Sequence, residues 1–200
     1  MSGKRQSARA KARDNAKSTN TQGILMLVVG LGLILIAVAA FFAMPKAAEA
    51  VRQSDGLVVP VSVNFEAPDV ALTDLQGNPV ALSDYSGKVI LYNSWATWCP
   101  PCKAEMPTLQ AYYDKYKDQG LVVIAIEDGQ PLPEVADFVK QFGLTFPVWP
   151  DPEYRASKTY NVSGLPTSFV IDRDGIVRLT WSGQISMSAL EKYVTPLLAE

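Results

Sequence analysis

Three regimes of hydrophobic patterning follow one another along the chain. Residues 24–44 form an apolar run without a single charged side chain. Residues 45–63 mix Ala, Ser and Pro without a period and read as a tether. From residue 64 onward short apolar runs alternate with amphipathic stretches, the pattern of an α/β domain that ends at residue 200. Val70–Asp74 and Pro79–Leu82 flank Gln76-Gly77-Asn78, which predicts a β-hairpin. Lys88–Asn93 is nearly continuous in apolar, β-forming residues and predicts a central strand buried on both faces. A helix is expected from Pro100 to Gln119, with Gly120 as its stop, and Leu121–Ile126 is a second buried strand. Strand, helix and strand make a βαβ unit, whose crossover should be right-handed. Leu132–Gln141 reads as a helix closed by Phe142-Gly143, Phe146–Trp149 as a short extended piece, and Glu153–Tyr160 as a short helix. Thr167–Asp172 and Ile176–Trp181 read as strands joined across Arg173-Asp174-Gly175. Ser186–Leu198 reads as a closing helix, with Ser188 and Glu191 as a capping pair. The expected architecture is α/β with a mixed sheet.

Charge changes the picture at the N-terminus. A helix over residues 24–44 would span roughly 30 Å, the thickness of a bilayer's hydrocarbon core. Residues 1–23 carry six cations (Lys4, Arg5, Arg9, Lys11, Arg13 and Lys17) against one acid, Asp14. The positive-inside rule puts that basic arm in the cytoplasm. The expectation is a single-pass anchor in the inner or plasma membrane, held in the lipid bilayer by residues 24–44, with all that follows outside. The rival is a cleaved signal peptide, because Ala48-Glu49-Ala50 resembles a small-x-small cleavage site. The length of the apolar run favours a retained anchor, and either reading exports the folded part. From Pro45 the chain carries 12 Lys and Arg against 19 Asp and Glu. A face that acidic excludes general nucleic-acid binding, which needs a cationic surface.

The chemistry sits at the only two cysteines, in Trp98-Cys99-Pro100-Pro101-Cys102, between a buried strand and a helix. Such a turn places Cys99 at the helix N-terminus, where the dipole and free N–H groups favour a thiolate. Cys102 falls one turn inward on the same face. An exposed, thiolate-prone cysteine with a shielded partner suits disulfide exchange: the first sulfur attacks, the second resolves. A zinc site would need about four ligands, and the chain has no histidine and no third cysteine. A purely structural disulfide, a peroxidatic cysteine and a redox-inert binding module compete with exchange chemistry. A structural bridge across so short a loop would add only about 2 kcal/mol or less, and the spacing does not suit a peroxidase. Neither a metal nor an organic cofactor is expected. Glu105, three residues after Cys102, lies one turn along the helix on roughly the same face. From spacing alone it is either an exposed helix glutamate beside Lys103 or an acid serving the cysteines.

The stretch from Val89 to Pro107 (VILYNSWATWCPPCKAEMP) resembles the active-site segment of the thioredoxin superfamily. Within it, residues 65–198 are most similar to the TlpA/ResA-like group of membrane-anchored, extracytoplasmic thiol–disulfide oxidoreductases, whose thioredoxin-like domain is of the AhpC/TSA type. Asn64–Asp69 and the hairpin match that group's N-terminal extension, and residues 127–150 fall at its central insertion. The resemblance implies a thioredoxin-like fold, with a mixed central sheet flanked by helices. It implies a catalytic pair of Cys99, the nucleophile, and Cys102, the resolving thiol. It also implies that Glu105 is a partly buried acid that shuttles protons and tunes the thiols. Asn93 stands where plain thioredoxins carry a buried aspartate, which leaves Glu105 as the nearest acid. Gly164-Leu165-Pro166-Thr167 matches the loop that holds a cis proline opposite the cysteines.

A proline at 166 lacks an N–H and leaves the backbone of Leu165 free for an extended substrate. Trp98, Pro100, Pro101, Leu165 and Pro166 are therefore the candidate substrate-binding residues, whereas Trp95 closes the buried strand and belongs to the core. Because Pro100 and Pro101 also offer no N–H, the Cys99 thiolate is only modestly stabilised. That argues for a reductant poised near thioredoxin, at about −270 mV. By resemblance the substrates are disulfide-containing exported proteins, apocytochrome c among them, and a membrane thiol electron donor restores the cysteines. A general exported reductase or oxidase not tied to cytochromes is the near alternative.

Overall fold

A computed structural model describes residues 58–199, together with Met26 and residues 30–32, which are helical. The basic arm, most of the tether and all but those four residues of the expected span lie outside the described residues. Among the described residues no helix is long and apolar enough to cross a membrane.

The strands are β1 (Val61–Glu66), β2 (Ala71–Thr73), β3 (Pro79–Ala81), β4 (Val89–Trp95), β5 (Leu121–Asp128), β6 (Val148–Asp151), β7 (Thr167–Ile171) and β8 (Ile176–Ser182). The helices are α1 (Pro100–Tyr116), α2 (Leu132–Phe142), α3 (Arg155–Thr159) and α4 (Met187–Tyr193). Six strands make one sheet in the order β1-β8-β7-β4-β5-β6, and β2 and β3 form a separate hairpin. β4 runs parallel to β5, and β5 to β6, whereas β7 pairs with β4 and β8, and β8 with β1, antiparallel. The sheet is mixed, as the pattern predicts. All seven residues of β4 are buried because it is hydrogen-bonded on both edges and covered on both faces.

Strand alternation divides the core into two halves. Leu91, Val123, Ala125 and Val170 face the helix α1 side, with Met106, Leu109, Tyr112 and Leu190 packed on them. Tyr92, Ile124, Ile126 and Phe169 face the other side, with Trp149, Ala156 and Tyr160. Trp95 is fully buried against Phe138 of α2, ring centroids 4.7 Å apart, which confirms it as core. On α1 the buried positions are Cys102, Glu105, Met106, Leu109, Tyr112 and Tyr116. This stripe of i, i+3 and i+4 spacings drives the helix onto the sheet. The helix continues through Pro107, whose ring faces solvent, and a 3₁₀ turn from Lys117 to Gln119 leads to left-handed Gly120 at φ 94°.

Three sequence expectations need correction. β1 begins at Val61, inside the segment read as tether. It is an edge strand with only Val63 half-buried, so it carries no alternating signature. The cap of α4 is Ser186, which accepts the Ala189 N–H at 3.2 Å. Ser188 instead meets the Ser186 hydroxyl, and Glu191 pairs with Lys115. The short helix after β6 is trimmed to Arg155–Thr159, because Tyr154 turns left-handed at φ 57°. At the central insertion, β6 extends the sheet beyond β5, and α2 packs Phe138 onto Trp95.

Candidate active site

The cysteines lie where β4 hands over to α1. Cys99 is the N-cap, with extended backbone (φ −84°, ψ 111°), and Pro100 and Pro101 occupy the first two helical positions, where a missing N–H costs the helix nothing. The Cys102 N–H donates to Cys99 Sγ at 3.3 Å. It is the first backbone donor the helix can offer that sulfur, since neither proline has one. The two sulfurs are bonded to each other at 2.06 Å. Cys102 is buried, as expected, but so is Cys99, at 3 % exposure, which corrects the expectation of an open thiol. The turn is fixed from β5: buried Glu127 accepts the Thr97 N–H at 3.1 Å and the Gln130 N–H at 3.0 Å. Burial pushes the Glu127 carboxyl above the usual range, and the two N–H groups oppose that rise.

Glu105 is 0 % exposed, so it is fully rather than partly buried. The reason is its place on the apolar stripe of α1 beside Met106. Its Oε1 accepts from Asn93 Nδ2 at 2.9 Å, and its Oε2 from the Ile185 N–H at 3.3 Å. Asn93 Nδ2 also donates to Ser168 Oγ at 3.0 Å. No cation faces this carboxyl among the described residues. Burial therefore dominates, and its pKa is pushed up to about 7, with the Asn93 bond and then the Ile185 bond resisting. One turn along α1 from Cys102, an acid with that midpoint can hold or release a proton near neutral pH.

Pro166 lies in the loop before β7, and the Leu165–Pro166 peptide is cis, as the resemblance implies. A groove of about 420 Å³ passes between this loop and the cysteines, and Trp98, Cys99, Pro100, Pro101 and Leu165 line it. Trp98 is 61 % exposed and forms an open aromatic wall. The structure thus gathers Trp98, Pro100, Pro101 and Leu165 at one groove, with buried Pro166 adjoining it in the chain.

Sequence reasoning missed the polar cluster on the far side of this groove. Asp128 Oδ2 accepts from the Ser94 hydroxyl at 2.8 Å and from the Ser157 hydroxyl. Burial pushes its pKa up against those two donors, and Asp151 adds to the rise. Asn93 and Ser94 are adjacent in β4, so they point to opposite faces of the sheet and anchor the two polar groups separately. A polar pair inside a fully buried strand was the available signal.

Residues 63–180 match the AhpC/TSA family. The chain is 42 % identical over 134 residues to the thiol-disulfide oxidoreductase ResA of Geobacillus kaustophilus, covering 67 % of this chain and 77 % of that one. It is 32 % identical over 169 residues to ResA of Bacillus subtilis, covering 84 % and 91 %. Among solved structures it is similar to a thiol:disulfide interchange protein of the thioredoxin family from Chlorobium tepidum, with a TM-score of 0.62 and 28 % identity over 69 % of this chain and 99 % of that one.

Proposed function

The chain belongs to the AhpC/TSA family and is a thiol–disulfide oxidoreductase, and from that premise we propose that it is a membrane-anchored reductase of disulfides in exported proteins. The observation that carries this reading is the Cys99–Cys102 pair at the helix N-terminus, bonded together with Cys99 lining a groove and Cys102 buried behind it. The reduced pair would act in two steps. The Cys99 thiolate attacks one sulfur of the substrate disulfide, forms a mixed disulfide and releases a substrate thiolate, which takes up a proton. Cys102 then gives its proton to Glu105 and attacks Cys99 Sγ. The second substrate thiolate leaves and takes up the proton that Glu105 received, which returns Glu105 to its ionised form, and the internal disulfide remains. Two electrons and two protons pass to the substrate. Glu105 suits this proton because its ionised form has two hydrogen bonds waiting, while burial keeps its neutral form accessible near pH 7.

Substrate binding follows from the groove. Neither backbone group of Leu165 meets a partner among the described residues, which leaves an edge where an extended polypeptide can pair. Trp98, Pro100 and Pro101 offer apolar contact on the other side. The anchor reading is supported by the uncharged run 24–44 and the basic arm before it. On that reading the groove lies outside the cytoplasm, with a membrane thiol donor restoring the pair. Apocytochrome c is the substrate to try first, because its paired attachment cysteines must be reduced before haem is joined. The test is Cys102→Ser, which leaves the first step and removes the second. Cells producing it should accumulate a mixed disulfide between Cys99 and exported proteins, released by reductant. No trapped species, with Cys99→Ser giving the same pattern, would sink the reading.

A further inference from the structure

The groove carries more than an apolar wall beside the cysteines. Asp128 is 3 % exposed and still lines it, and its Oδ1 has no hydrogen-bond partner among the described residues. A buried acceptor without a donor is uncommon, because leaving it so is unfavourable. Its other oxygen is already occupied by Ser94 and Ser157, so the carboxylate is fixed in place. The charged neighbour acting on it is another acid, Asp151, and among the described residues no lysine or arginine pairs with it. Tyr154, 46 % exposed, lines the same groove. Its left-handed backbone, at φ 57°, is held by an N–H bond to the Asp151 carbonyl at 3.1 Å. Its ring lies over the backbone of Gly129: a Cβ there would come within 2.0 Å of the Tyr154 hydroxyl. The bare glycine at φ 95° is what lets the phenol settle at that edge.

One groove therefore combines a fixed, donor-deficient carboxylate with two exposed aromatic rings, Trp98 and Tyr154. Aromatic faces and a carboxylate together select a cation. Resting on the reductase reading above, we propose that Asp128, Trp98 and Tyr154 form a subsite for a cationic side chain, arginine or lysine, close to the disulfide of the substrate polypeptide. The excess of acids over bases from residue 45 onward draws such a chain in from a distance. The site explains why the acid is buried at the groove rather than replaced by an apolar residue. It selects among disulfides that the cysteines alone treat alike.

The test uses the reduced full chain and two synthetic peptides, each with one internal disulfide, that differ only in arginine or glutamine beside a cysteine. Single-turnover oxidation of the protein is followed by tryptophan fluorescence. The arginine peptide should react about tenfold faster at low ionic strength, the scale of one charge-assisted contact. In Asp128→Asn that preference should collapse to less than about twofold, since the shape and the serine bonds remain while the charge is gone. Tyr154→Asn removes the ring but suits the left-handed backbone, and should cut the preference without touching the buried cluster. The wild-type comparison stands alone if Asp128→Asn fails to fold. Equal rates for the two peptides, or a preference that survives in Asp128→Asn, overturn the subsite and leave the reductase reading intact. If neither peptide oxidises the protein, the reductase reading falls and the subsite with it.

Discussion

Replacing Glu105 with glutamine removes the one buried acid on the stripe that carries Cys102, and the consequence can be worked through. In the folded chain this carboxyl titrates at about 7 instead of 4.5, because burial disfavours its charge more than Asn93 and Ile185 favour it. That difference corresponds to about 3 kcal/mol of unfavourable ionisation in the native state. The sign follows from proton binding. Between pH 4.5 and about 7 the folded state holds this proton and the unfolded state has lost it, so stability falls as pH rises. The penalty is absent below that window and complete above it. Glutamine never ionises, so Glu105→Gln should gain about 3 kcal/mol relative to wild type on going from pH 4 to pH 8. Asn93 can turn its unpartnered Oδ1 toward the new amide. The assay is guanidinium unfolding of the oxidised full chain across that range, where the bonded cysteines do not titrate. Burial also raises Glu127 and Asp128, but both remain in the variant and cancel in the difference. Stability curves that run parallel from pH 4 to pH 8 would refute the reasoning.

Two further outcomes follow from the same network. Asn93→Ala removes the larger of the bonds that hold the Glu105 midpoint down, so that midpoint should rise above about 7. The pH at which stability levels off should move up with it in the same unfolding series. Glu127→Ala strips the acceptor from the Thr97 and Gln130 N–H groups. It should cost about 2 kcal/mol by denaturant unfolding, the scale of a buried donor left unpaired, and slow reaction at Cys99 by loosening its turn.

The parts of this molecule legible in its sequence are those whose cause is local. The strand, turn and helix around Cys99 follow from a continuous apolar run, two prolines and a spaced stripe, and the structure keeps all three. Glu105 was legible as a position, and its complete burial could have been read from Met106, Leu109 and Tyr112 on the same stripe. The network around it was not legible, because Ile185, which donates to it, and Ser168, which holds Asn93, lie far along the chain: Ser168 arrives when β7 inserts beside β4, and Ile185 in the segment after β8. The Ser94–Asp128–Ser157 cluster is hidden for the same reason, being assembled from β4, β5 and α3. β1 was missed because an exposed edge strand has no buried face to impose a period.

The most direct measurement is the reduction potential of the Cys99–Cys102 pair in the full chain, equilibrated in thiol buffers and read by tryptophan fluorescence. Two prolines leave Cys99 Sγ with the Cys102 N–H as its nearest helical donor. A thiolate stabilised so little makes the reduced form willing to give up electrons. A midpoint near or below thioredoxin's, about −270 mV, is the result expected of a reductant. A midpoint above about −180 mV would contradict it and make the protein a donor of disulfides.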